Sequence, residues 1–173
     1  DRRFAGSDTW ATSYVLSRAV RKLGGIDLVL CGRQAIDGDT AQIGPELAAQ
    51  LGWPQALNAA ELRFEGDSLL VKRLLDDGYD RCRVRLPAVV SVVRELNTPR
   101  VPTLKGYLRA VMAEVTGWDA SALECDDARL GLKGSPTRVV STAPPPPRSG
   151  IRKHLNPDQL NELLKELEHA PNS

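Results

Sequence analysis

The chain has 173 residues, 42% apolar and 26% charged, and its 23 Lys and Arg against 22 Asp and Glu leave a net charge of +1. That size and balance suit a globular domain with its own core, and near-neutral charge argues against a nucleic-acid binder, which gathers basic residues on one face. No apolar run approaches the roughly 20 residues that span a bilayer, and three scattered cysteines without a CxxC pair fit a reducing cytoplasm better than a disulfide framework or a zinc site.

In chain order, the first helix is expected from Asp8 to about Leu23. Ser7 or Asp8 can cap it, Tyr14, Val15, Ala19, Val20 and Leu23 recur at helical spacing, and Gly24-Gly25 ends it. "IDLVLC" follows without polar alternation, as a strand buried on both faces of a parallel sheet does, with Cys31 as a small core residue. A second helix is expected over 40–51, carrying Ile43, Leu47 and Leu51 on one face. Pro45 must lie near its first turn, since proline has no N–H to give the helix interior. Residues 60–86 have the pattern of a β-meander, with turns at Glu65-Gly66-Asp67 and Asp76-Asp77-Gly78. "PAVVSVVREL" is a second fully buried strand, broken at Asn97-Thr98-Pro99. A helix over Leu104–Met112 and a short strand ending in "EVTGWD" complete the first domain, 1–141.

Residues 142–173 differ in kind. "STAPPPPRSG" is an extended, semi-rigid spacer. The helix after it is capped by Asn156, opens on Pro157 and carries a stripe of Leu160, Leu163, Leu164 and Leu167. Such a tethered amphipathic helix needs a surface to cover, either on its own domain or, the preferred reading, on another chain. The fold class expected is therefore α/β: a Rossmann-like parallel sheet of the adenine-nucleotide-binding type, an antiparallel excursion, and a C-terminal arm ending in a helix.

In such sheets ligands sit beyond the carboxyl ends of the strands, where the loop after Cys31 lies. Gly32 lets the backbone leave the strand tightly, and Gly38 removes a side chain where a ligand could approach. Asp39 or Thr40 can cap the next helix, whose first N–H groups and dipole favour a phosphate. Asp37 could accept from ribose hydroxyls, and Arg33 could pair with a phosphate or a flavin carbonyl. Spacing alone favours an ordinary capped strand-to-helix loop over a nucleotide site, and neither a P-loop nor GxGxxG is present. A second cluster of Gly6, Ser7, Thr9 and Thr12 opens the first helix.

"CGRQAIDGDTAQIGPELAAQLGWPQ", "DRRFAGSDTWATSYVLSRAVRKL", "LPAVVSVVRELNTPRVPTLKGYLRA" and "GLKGSPTRVV" together resemble the signature of the electron-transfer flavoprotein β subunit, in that family's order. The resemblance implies a heterodimer with an α subunit and a C-terminal arm reaching over it. It places the nucleotide loop on Gly32, Arg33, Gln34, Ala35, Ile36, Asp37, Gly38, Asp39, Thr40, Ala41, Gln42 and Ile43. In one branch of the family that loop holds AMP. In the flavin-bifurcating branch it holds the adenosine part of FAD, and "DGDTAQIGP" and "FAGSDTWAT" are similar to the bifurcating type, with Thr9 and Thr12 close to the flavin. The resemblance also implies a loop that anchors partner dehydrogenases, with Leu104 as the anchor and Arg109 where the family has a Lys; Lys105 stands where the family has Pro. The family carries a further N-terminal segment, with the first strand and part of the nucleotide site, so the expectation is a chain lacking that part. An exposed apolar sheet edge follows.

The implied function is electron transfer from NADH or from acyl-CoA or other flavin dehydrogenases, with FAD as cofactor, in the cytoplasm. The alternatives are an AMP-binding housekeeping β subunit, a stand-alone adenine-nucleotide-binding protein, and a remnant that only docks on the α subunit.

Overall fold

The computed structural model describes residues 1–146 and 156–168, and the chain divides into two compact units, Asp1–Arg138 and Val139–Ser173. The first unit opens with helix α1, Thr9–Leu23, whose cap is Asp8; its side chain accepts the Ala11 N–H. Strand β1, Leu28–Gly32, leads through a long loop to helix α2, Ile43–Leu51. Strands β2, Gln55–Glu65, β3, Ser68–Leu75, and β4, Gly78–Arg85, form the expected meander, turning at Gly66-Asp67 and Asp76-Asp77. Strand β5, Ala88–Val92, is followed by helix α3, Leu104–Val111, and the short helix α4, Gly131–Gly134.

The sheet runs β1-β5-β2-β3-β4. β5 pairs parallel with β1 on one side and β2 on the other, while β2–β3 and β3–β4 are antiparallel. One strand thus serves both halves. β2 first lies parallel along β5 through Gln55 and Ala56, changes register between Ala56 and Ala59, and then runs antiparallel to β3. Asn58, with φ of 57°, sits in that irregularity, and its N–H donates to Ser91 Oγ at 2.9 Å.

Helix α2 covers one face of the parallel half with Leu47, Ala48 and Leu51 against Val89. The other face buries Ala88 and Val90 with Ala56, Ala59, Leu69, Val71 and Val84. β5 is buried on both faces, as its unbroken apolar run predicts.

Three expectations need correction. β1 is not buried on both faces: Leu30 is 52% exposed, and among the described residues β1 pairs with β5 alone, at the edge of the sheet where its face is left partly uncovered. The second helix begins at Ile43, not at residue 40. "EVTGWD" joins no ladder; residues 113–119 run without regular structure, and Trp118 instead sits under the Lys22 ammonium at 5.6 Å.

In the second unit, helix α5 spans Pro157–Glu168. The Asn156 side chain accepts the Gln159 N–H at 2.9 Å and the Gln159 side chain returns a bond to the Asn156 N–H at 3.1 Å, a reciprocal cap.

Candidate functional site

The loop from Arg33 to Gln42 leaves the carboxyl end of β1 and is exposed throughout. Its own contacts are few. The Arg33 N–H donates to the Val92 carbonyl at 3.0 Å, tying the loop's first residue to the neighbouring strand. The Asp39 N–H reaches back to the Ala35 carbonyl at 3.0 Å, and the Gln34 amide donates to the Asp39 carboxylate, closing a small ring. Asp37 accepts from the Gly38 N–H at 2.9 Å. Asp39 and Ala41 stand at φ of 49° and 55°. Left-handed backbone is tolerated by Asp, but Ala has no polar side chain to repay it, so the turn into α2 is strained. Ile36 is fully exposed.

Neither Asp39 nor Thr40 caps α2. Gln42 occupies the cap position and its side chain makes no cap bond. Pro45 has no N–H, so the N–H groups of Ile43 and Gly44 meet no capping side chain among the described residues. Helix α1 is the opposite case, because Asp8 closes it with a carboxylate. Of the two helix starts singled out by composition, α2 alone is open to an anion.

The two starts lie side by side. Thr9 Oγ1 is 3.2 Å from Gln42 Oε1 and 3.1 Å from Glu46 Oε1. One hydroxyl proton serves two acceptors there. Glu46 Oε2 and Gln50 Nε2 are buried and find no partner among the described residues. Burial pushes the Glu46 carboxyl above its ordinary range; the Thr9 hydrogen bond opposes that and the nearby Asp8 charge adds to it. Thr12 lies one turn along α1, half-buried, and its N–H donates to the Asp8 carbonyl at 3.0 Å.

Asp8 does more than cap. Its carboxylate also accepts the Thr137 N–H at 2.9 Å and the Thr137 hydroxyl at 2.8 Å, while its own N–H donates to Ser135 Oγ at 2.8 Å. Burial alone would raise its pKa, yet the bonds its carboxylate accepts from Ala11 and Thr137, with Ser135 close by, together hold it below the ordinary carboxylate range. "GSDT" and "GSPT", far apart in the chain, are thus one structural unit. A Cβ on Gly131, at φ of 55°, would lie 2.7 Å from the Arg3 carbonyl oxygen, so the two segments touch backbone to backbone.

Gly32 and Gly38 have open space around them and no left-handed φ. The fold itself does not demand glycine at either position, contrary to the tight exit expected at Gly32. At Gly44, by contrast, the packing is close: a Cβ there would lie 3.1 Å from Cys31 Sγ. Burial pushes the Cys31 thiol up, in keeping with a small core residue rather than a nucleophile.

Leu104 and Arg109 are on α3, outside this cluster. Leu104 is 75% exposed at the start of α3, where the Thr103 side chain accepts the Gly106 N–H, and it shares an exposed apolar face with Tyr107, Leu108 and Val111. Sequence reasoning missed Glu46, Gln50 and the reach of Asp8. An acidic residue in a helix's first turn is an ordinary surface feature by composition; only the packing of α1 on α2 buries it.

A family model described as "Electron transfer flavoprotein domain" matches residues 1–123. The chain is 50% identical over 146 residues to the electron transfer flavoprotein subunit beta of Thermoanaerobacterium thermosaccharolyticum, covering 84% of this chain and 56% of that protein. It is 44% identical over 156 residues to the subunit of the same name from Megasphaera elsdenii, covering 87% and 58%. With the caffeyl-CoA reductase-Etf complex subunit CarD of Acetobacterium woodii it shares 39% identity over 150 residues, covering 87% and 57%. The chain therefore spans between 56% and 58% of the length of these curated relatives.

Proposed function

Because the chain belongs to the electron transfer flavoprotein family, we propose that it acts as a β-subunit portion holding the adenosine end of FAD in the loop between β1 and α2. The observation that carries this reading is the uncapped start of α2, set beside Thr9 at the end of an exposed loop. Free N–H groups and the helix dipole suit a phosphate at Ile43 and Gly44. Asp37, Arg33 and the exposed Ile36 belong to the same loop and are proposed to meet the ribose, a phosphate or flavin carbonyl, and an apolar part of the ligand, although Arg33 lines a hollow with Asn58 and Leu74 and not one at the start of α2. The Thr9 hydroxyl, held by Gln42 and Glu46, orients what lies between the two helices.

When bound, the flavin supplies the hydride and single-electron chemistry. The residues of this chain bind, orient and shape the electrostatics; none is required as acid, base or nucleophile. With an α subunit the assembly would pass electrons from NADH or flavin dehydrogenases to acceptors. The relative named as a subunit of a caffeyl-CoA reductase-Etf complex supports work within a larger reductase assembly. The exposed Leu104 face of α3, with Arg109 at its end, would anchor the dehydrogenase. Three free cysteines suit a cytoplasmic setting, and no described helix is long and apolar enough to cross a membrane.

The test is to co-express the chain with an electron transfer flavoprotein α subunit, denature the purified complex and quantify released FAD and AMP. FAD beyond that of the α subunit, with no AMP, is the expected result. AMP in its place moves the chain to the AMP-binding branch. A complex lacking any β-site nucleotide overturns the reading.

A further inference from the structure

The outer face of the meander, opposite the side that buries Leu69, Val71 and Val84, is cationic. Register places its side chains in rows across three strands. Arg63, Leu70 and Arg83 form one row; Glu61, Lys72 and Arg81 form the next. Arg85 stands opposite Ser68 in the row before them. Five cations thus share this face with Glu61 and Glu65. Lys72 pairs with Glu61 at 2.7 Å and Arg83 pairs with Glu65. Among the described residues Arg63, Arg81 and Arg85 form no ion pair.

Lys72 and Arg81 are direct cross-strand partners, and like charges in that position disfavour the sheet. The Lys72 ammonium leans over the Tyr79 ring, 4.4 Å from its centre. Glu61 is held below its ordinary range by its hydrogen bond and charge contact with Lys72, with Arg81 adding to the pull. Between the rows lies a hollow of about 330 Å³, lined by Leu70 together with Arg63, Lys72 and Arg81 and by Glu61, whose carboxylate is taken up by Lys72. A chain of net charge +1 therefore concentrates unpaired positive charge around one apolar spot.

We propose that this face binds an extended acidic segment of a partner protein. Alternate residues of an extended strand repeat every ~6.8 Å, which is also the spacing of successive rows along β3 and β4. Carboxylates two repeats apart on the inward side of such a segment would meet Arg81 and Arg85, and an apolar side chain at the inward position between them would lie over Leu70. This surface stands apart from the nucleotide loop, so its test is independent of the cofactor reading.

The full chain is titrated into a fluorescently labelled peptide whose alternate residues are glutamate, valine and glutamate, with serine between them, and anisotropy is read. Binding should weaken as salt rises from about 50 to about 300 mM. R63E/R81E should raise Kd by about tenfold or more. R63Q/R81Q, which adds no acidic repulsion, should give a smaller loss with an unchanged circular dichroism spectrum. An unchanged Kd in both variants, or no binding by the parent chain, overturns the proposal. So does a single-stranded oligonucleotide that binds as tightly and is lost by the same substitutions, because the ligand would then be a phosphate backbone.

Discussion

Asp8 and Glu46 show how position within a few ångströms separates two carboxyls of similar type. Asp8 collects hydrogen bonds from Ala11 and Thr137 and is stabilised as the anion. Its contribution is present above the unfolded pKa and is lost as pH falls through the lower folded value. Asp8→Ala should cost about 1–2 kcal/mol at neutral pH, by loss of the cap and the clamp. Urea melts at pH 7 and pH 3 should show the gap between parent and variant closing in acid. Glu46 is the reverse. Its folded pKa is raised, so stability declines as pH rises from the unfolded value toward the folded one. Glu46→Gln should therefore stabilise the chain at pH 7, by less than about 1 kcal/mol because the carboxyl is partly solvated, with the gain vanishing below pH 4. Gly44 is limited by contact rather than charge. Gly44→Val would press on Cys31 and should cost about 1–3 kcal/mol in chemical denaturation.

At the scale of elements, α1 and α2 begin with opposite electrostatics although both starts are rich in small polar residues. α1 is closed by a carboxylate; α2 is left open. Composition made the two alike, and only the backbone path through Asp39 and Ala41 moved the helix start past every potential cap. Helix α3 is also exposed. Leu104→Ala should leave the unfolding midpoint within about 0.5 kcal/mol of the parent, since the side chain is largely in solvent. In electron-transfer assays with an α subunit and an acyl-CoA dehydrogenase it should weaken coupling to the dehydrogenase. A large loss of stability would show that α3 is packed in the fold instead of presented by it.

For the molecule as a whole, the sheet ends at one side on β1, whose outer edge pairs with nothing among the described residues and whose Leu30 is in solvent. Unpaired edges template further pairing. The isolated chain should associate with rising concentration, and Leu30→Lys should reduce that association in sedimentation or light scattering without altering helix content. Equal association by parent and variant would remove β1 as the contact. The family membership is a property of the whole chain as well, carried by motifs spread from Asp1 to the meander and beyond.

Much of this architecture is determined by sequence alone, because it rests on local rules. Turn residues at Gly66 and Gly78 set the meander, the unbroken run at 88–92 marks the central strand, and Asn156 with Pro157 opens the last helix. The loop residues are legible as a family motif. What tertiary structure decides is what lies between distant segments: the exposure of β1, the burial of Glu46, the clamp from Asp8 to Thr137, and the rows of cations across β2, β3 and β4. Each depends on which chain segment lies a few ångströms away. Periodicity carries which face a residue is on, whereas desolvation and pairing depend on the neighbour that the fold brings to that face.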